Sequence, residues 1–359
     1  MTSRERDPAF TMPAPAAEQA RQSVWPLWVV YAGAVISGMT SILVSMGPSA
    51  RQASALTVAS IAVFASVGAI WAWLLAKIPY FWPISRETRG LATLWGAAAA
   101  TGYALLANLA IYQHLADRPD APAWSLFAPL TEEPMKDLGI VVVLLLAATR
   151  PRTALDGLVV GSFVGLGFEV VENIVQSVNN AIGAAPAGHP GQWASLATDV
   201  IHEVLRRSWT GHIVITGIAG FGIAYAMTAR RRPIPHRIGI AAGLVLLAFA
   251  GHLLWNSHRF GVFYVLGQFG MLAVYLWLIR VGRQQEARLY LPFLNHVEPS
   301  LLDPALVQSL SSGAARRAYR KASGAGAGPR QRAAARLAAA IANGDAGSAH
   351  ECVDALTLT

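Results

Sequence analysis

A single cysteine, Cys352, excludes an internal disulfide. Charge is also scarce: Asp, Glu, Lys and Arg make up 13% of the 359 residues, against roughly 25% in a soluble domain. With 54% apolar residues and a mean hydropathy of +0.42, this shortage excludes an ordinary soluble enzyme. The first two dozen residues are polar and rich in Pro and Ala, without the apolar stretch of a cleavable signal peptide. The first span is therefore expected to act as its own insertion signal. No internal repeat is found, and no HExxH motif marks a ready-made zinc site. The formal charge of +8 does not point to nucleic acid, because the arginines cluster between apolar runs, as membrane topology requires.

Eight apolar runs are long enough to cross about 30 Å of hydrocarbon. They lie near residues 25–46, 56–78, 91–112, 123–148, 157–178, 209–229, 237–257 and 260–279. The reading is an all-α polytopic membrane protein of about eight transmembrane helices with an intramembrane polar site. A cytoplasmic tail (1–24) precedes a membrane domain (25–280) whose core is 123–257, and a basic, helical, partly disordered tail follows (281–359). Arg86, Arg89, Arg150, Arg152, Arg230, Arg231, Arg232 and Arg237 fall on one side; Arg51, Arg118, Arg259, Arg206 and Arg207 fall on the other. This asymmetry places both termini in the cytoplasm. The outer loop 179–208 ends in an amphipathic stretch suited to the membrane surface. In the tail, two short helices are expected around a Gly-rich linker at 323–329.

Charge inside the spans is the informative exception. The fourth run carries "EEPMK", with Glu132, Glu133 and Lys136. A charge at the bilayer centre costs at least ~2.5–3.5 kcal/mol on insertion scales, so such residues read as functional. Glu132 and Lys136 are four apart, the spacing at which a carboxylate meets an ammonium. Lys136 is thus expected to neutralise one glutamate and leave the other to a different partner. The fifth run holds "FEVVEN", which sets Glu169, Glu172 and Asn173 on one helix face. Gly157, Gly161 and Gly165 recur there every fourth residue, which lets a neighbouring helix approach closely. His212 opens the sixth run, and "HLLWN" near the end of the seventh sets His252 and Asn256 four apart.

Counting 1.5 Å per residue puts Glu132 about 13 Å, Glu169 about 14 Å, Glu172 about 9 Å, His252 about 8 Å and His212 about 5 Å below the outer surface. Four spans thus bring their polar groups to one layer. A carboxylate–imidazole cluster there can activate water as a general base, directly or through a metal, while His252 and Asn256 can donate to an oxyanion. Hydrolysis of a peptide bond fits. A proton- or ion-coupled transporter would use similar residues, but it favours inverted repeats or paired broken helices, which are not seen.

In order, "EEPMK", "FEVVEN" and "HLLWN" resemble the motifs of the PrsW family of intramembrane proteases, over roughly residues 128–257. In the wider group of CAAX-processing and bacteriocin-protection proteases the second motif is FxxxH; here Phe168 is followed at that interval by Glu172. The resemblance implies that Glu132, Glu133, Glu172, His212, His252 and Asn256 are functional, with Lys136, Phe168, Glu169 and Asn173 in support. It implies a metallopeptidase, whereas the CAAX-processing relatives resemble glutamate-activated enzymes without metal; both mechanisms stand at this point. The ion would be held by Glu133, Glu172, His212 and His252, an oxygen and nitrogen set that suits zinc. The implied substrate is a membrane-anchored protein, such as an anti-sigma factor, cut near the outer face of the cell membrane. The extra N-terminal spans and the basic tail lie outside the resemblance.

Overall fold

A computed structural model describes residues 9–12, 24–115, 124–146, 151–257 and 261–358. The chain divides into two compact units, one made of Ser23–Ile78 and Ile84–Ile279, the other of Met1–Gln22, Pro79–Pro83 and Arg280–Thr359.

The first unit is a bundle in which a helix coincides with each of the eight apolar runs. They are α1 (Trp25–Gln52), α2 (Ser54–Leu75), α3 (Arg86–Leu94, continuing through a wider π turn at Trp95–Ala100 into Thr101–Leu115) and α4 (Trp124–Leu146). After these come α5 (Ala154–Ala184), the short α6 (Pro190–His202), α7 (His212–Thr228), α8 (Ile234–Trp255) and α9 (Val262–Tyr290), whose last turns belong to the second unit. Six of these are long and apolar enough to span a membrane. The other two are α7, of 17 residues, and α4, which carries Glu132, Glu133, Lys136 and Asp137. The protein is a polytopic all-α membrane protein.

Burial separates the helices by role. In α5, 83% of the apolar stretch is buried, against 11% in α1 and 22% in α2 and α8. The outer helices turn large side chains such as Ile36, Val44, Ile70 and Leu246 outward. Lipid tails supply no hydrophobic drive between helices, so close packing must hold α5 in place. Its glycine stripe does this. A methyl at Gly157, Gly161 or Gly165 would collide with the carbonyl oxygens of Gly220, Thr216 and His212 respectively, so α7 lies directly on α5. On its other side, Gly167 abuts the Thr93 carbonyl and Gly96 the Val164 carbonyl, which brings α3 equally near. The N-terminus of α5 is anchored by Asp156, whose carboxylate accepts from the N–H groups of Arg152 and Thr153.

α5 and α7 differ from the expected spans at their ends. α5 runs on to Ala184, six residues past the expected limit, and α7 begins at His212 rather than 209. In the loop between them, His189 caps α6 by accepting from the Gly191 N–H.

The second unit has its own core of Phe81, Tyr290, Leu306, Leu310, Leu337, Ile341 and Leu356. Around it pack α10 (Pro304–Ser309), α11 (Gly313–Ser323), α12 (Ala327–Asn343) and α13 (Ala346–Thr357). Residues 281–358 are described and mostly helical. The reason lies in α12, where Ala334, Ala335, Leu337, Ala338, Ala339, Ala340 and Ile341 are all fully buried. The expected linker at 323–329 is a tight turn, with Gly324 at φ 76° and α12 starting at Ala327. Ser312, Asp303 and Asp345 cap the helices that follow them. The 1–24 tail lies outside the described residues apart from 9–12 and Val24; within the former, Phe10 pairs with Val297.

Candidate active site

α4 presents the acidic motif. Pro134 lacks an N–H and cannot bond the carbonyl four residues earlier, which loosens the helix beside Glu132 and Glu133. One turn on, Gly139 leaves room for the ring of Trp95, whose indole N–H donates to the Met135 carbonyl at 2.9 Å. Trp95 is fully buried and begins the π turn of α3, a type of irregularity frequent at functional sites. This contact sets the depth and rotation of α4.

Lys136 lies at the centre and is fully buried. Its Nζ donates to Glu132 Oε2 at 3.1 Å, to Glu133 Oε1 at 2.9 Å and to His212 Nδ1 at 2.9 Å. Its single charge still offsets one carboxylate, but it bonds both, and Glu133 has His252 as its further partner. At the helical offsets of three and four residues, one flexible ammonium reaches both carboxylates. The Phe168 ring lies 3.7 Å from the same Nζ and covers it. An ammonium is only a donor, so His212 Nδ1 must accept and Nε2 must carry the proton. Nε2 faces Glu172 Oε2 at 3.0 Å and donates to it. His252 Nδ1 lies 2.7 Å from Glu133 Oε1, and its Nε2 is 3.7 Å from Glu132 Oε2. The two imidazoles meet edge to face with centroids 4.9 Å apart.

One donor atom from each of Glu132, Glu133, His212 and His252 lies within 4.8 Å of the others, and all four residues are buried. Of the expected ion-binding set, Glu133, His212 and His252 thus come together, with Glu132 as the fourth. Glu172 lies one step further out, behind His212. Asn256 ends α8, with its N–H on the His252 carbonyl. Its half-buried side chain makes no hydrogen bond among the described residues. Glu169 accepts from the Ile213 N–H at 3.3 Å, which satisfies one of the open donors in the first turn of α7. Asn173 donates to Glu203 Oε2 at 2.7 Å.

Sequence reasoning missed two acids. Asp137, beside Lys136, has a buried Oδ1 with no hydrogen-bond partner among the described residues. It was legible as a fourth charge in the run. Glu203 falls in the expected outer loop, yet it is buried and lines a small cavity with Glu169, Asn173, Gly68 and Trp71. Its partner is thirty residues away, so no local pattern announces it.

A family model described as PrsW family intramembrane metalloprotease matches residues 86–281, more than half of the chain. The chain belongs to this family. It is an intramembrane protease, and the transporter reading falls away. No curated protein and no solved structure matches the chain. The matched region of this PrsW-family protease holds every residue of the buried cluster, from Glu132 to His252.

The donors fit a divalent ion. Two carboxylates and two imidazoles are a mixed oxygen and nitrogen set of the kind zinc takes, although the Lys136 ammonium bonds three of these four residues and would have to give way to an ion. With neutral imidazoles, the buried Glu132 and Glu133 against Lys136 leave one excess negative charge, and the half-buried Glu172 stands beside it. Buried charge without compensation is strongly disfavoured. Glu133 Oε2 is also buried without a hydrogen-bond partner among the described residues.

Proposed function

We propose that this protease hydrolyses a peptide bond of a membrane-anchored protein, in a layer about 5–14 Å below the outer membrane face by residue count. The observation that carries the reading is the convergence of Glu132, Glu133, His212 and His252 from three helices into one buried group. The positive-inside distribution of arginines supports both termini in the cytoplasm of a cell-membrane protein and the loop 179–208 outside. The resemblance supports a membrane-anchored anti-sigma factor as the kind of substrate.

In this reading Glu132, Glu133, His212 and His252 would hold a divalent ion, zinc by ligand type, with the Lys136 ammonium withdrawn from His212 Nδ1. When bound, such an ion polarises the peptide carbonyl and lowers the pKa of its water. Glu172 orients His212 by accepting its Nε2 proton, the usual partner of a ligating imidazole. Glu133, through the Oε2 that has no hydrogen-bond partner among the described residues, would take the proton from the attacking water and pass it to the leaving amine nitrogen as the C–N bond breaks. Lys136 keeps the two adjacent carboxylates together. Asn256 donates its side-chain N–H to the oxyanion that forms on the carbonyl oxygen.

The test is purified full-length protein with a library of membrane-anchored peptides, with and without chelator. Cleavage is expected, together with at least ~100-fold less product from Glu133→Gln, the lower range for a lost general base. Bound transition metal below a tenth of an equivalent in active protein would remove the ion from the mechanism. Wild-type rates for both Glu132→Gln and Glu133→Gln would remove the motif from catalysis.

A further inference from the structure

Gln268 lies on α9, outside the three sequence motifs, and is buried at 7% exposure. A carboxamide in a membrane span needs a reason, because its donors and acceptor have no water to turn to. The Thr210 hydroxyl donates to Gln268 Oε1 at 3.3 Å, and Thr210 is itself buried two residues before His212. The other end of the amide is different. Nε2 is buried and has no hydrogen-bond partner among the described residues.

The neighbours of α9 fix where this amide lies. Tyr264 meets the Trp255 ring, a methyl on Gly267 would strike Leu254, and Met271 fills the space beside Gly251. Residues 264, 268 and 271 share one helix face. That face therefore packs on the turn of α8 between Gly251 and Trp255, which carries His252. From Val262, Gln268 is about 9 Å along the helix, the same layer as the histidines. It is tied at one end to Thr210, two residues before His212, on a helix face that packs against the α8 turn carrying His252.

We propose that Gln268 and Thr210 form a backbone-recognition subsite, in which the Gln268 amide N–H donates to a carbonyl of an unwound substrate segment. This rests on the protease reading above. A helical transmembrane substrate has its carbonyls bonded internally, so it offers such a donor nothing. A helix broken near the cleavage point exposes carbonyls that must find donors inside the membrane. Thr210 holds Oε1 and so aims the N–H without a rotamer search. The subsite selects for broken helices irrespective of side chain.

The experiment measures binding separately from cleavage. Full-length protein carrying Glu133→Gln is reconstituted in lipid nanodiscs and titrated with two fluorescent Leu/Ala peptides of about 22 residues, long enough to span. One contains a central Gly-Pro pair and the other does not. The broken peptide is expected to bind about tenfold more tightly, and Gln268→Leu to abolish that preference by weakening the broken peptide alone. Gln268→Met, which keeps the side-chain length and has no donor, is expected to do the same and covers the case in which the leucine variant unfolds. Equal binding of both peptides by the parent overturns the proposal, as does a preference that survives both variants. Cleavage by protein without Glu133→Gln is assayed in parallel. Absence of cleavage with the binding preference intact refutes the protease reading and leaves the subsite standing.

Discussion

Lys136 is the residue on which the site turns. It is fully buried and bonded to two carboxylates and an imidazole. Replacing it by methionine keeps the volume and strands two carboxylates in the interior. Removing one partner of a buried pair costs about 3–5 kcal/mol, so Lys136→Met is expected to lower the unfolding midpoint in detergent steeply. The double variant Glu132→Gln/Lys136→Met is expected to recover part of that loss, since one stranded charge is gone. No recovery would mean that Lys136 acts through packing on Phe168 rather than through charge. Asn256 is the contrasting case. Its side chain takes part in no described hydrogen bond, so Asn256→Ala is expected to leave stability and metal content unchanged. Turnover should fall by about 100-fold or more, the size of a lost oxyanion donor. A loss of metal instead would move Asn256 from oxyanion to ion binding.

At the scale of elements, the contact of α5 with α7 places His212 over Lys136. Gly165 touches the backbone of His212 itself, so any side chain there pushes the imidazole away from the cluster. Gly165→Val is expected to destabilise by about 1–3 kcal/mol or more through overpacking, and to abolish cleavage even where the protein still folds. Gly33→Val on α1 is the control, because nothing lies within 4 Å of a side chain added there. It should be near wild type in both thermal unfolding and activity. Equal effects of the two substitutions would show that the stripe on α5 is not what seats α7. The glycine spacing was legible in the sequence, as was the face shared by Glu169, Glu172 and Asn173. What those residues bond was not: the N–H of Ile213, His212 and Glu203 all lie on other elements.

For the whole molecule, the expected topology puts the loop 179–208 outside and the C-terminal unit inside. Ala197 and Ser323 are both exposed, and Cys352 is buried. In a Cys352→Ser background, an impermeant maleimide applied to intact cells should label Ala197→Cys and spare Ser323→Cys. The reverse pattern would move the site to the cytoplasmic half of the bilayer and with it the region of the substrate that is cut. The second unit carries its own buried core and capped helices.

The sequence by itself determined the membrane class, the helical runs and the motif residues. Each of these is written in neighbouring positions: an apolar run of about twenty residues spans a bilayer whatever surrounds it, and charges three or four apart share a helix face. Only the tertiary structure decided that one ammonium serves two glutamates and a histidine, that Glu172 stands behind His212, and that Glu203 is buried. It alone set Gln268 against Thr210, two residues before His212. Those relations join residues up to 119 positions apart, as for Glu133 and His252. They depend on how closely helices can approach, which the glycines of α5 and α3 and the ring of Trp95 settle only once the bundle has formed.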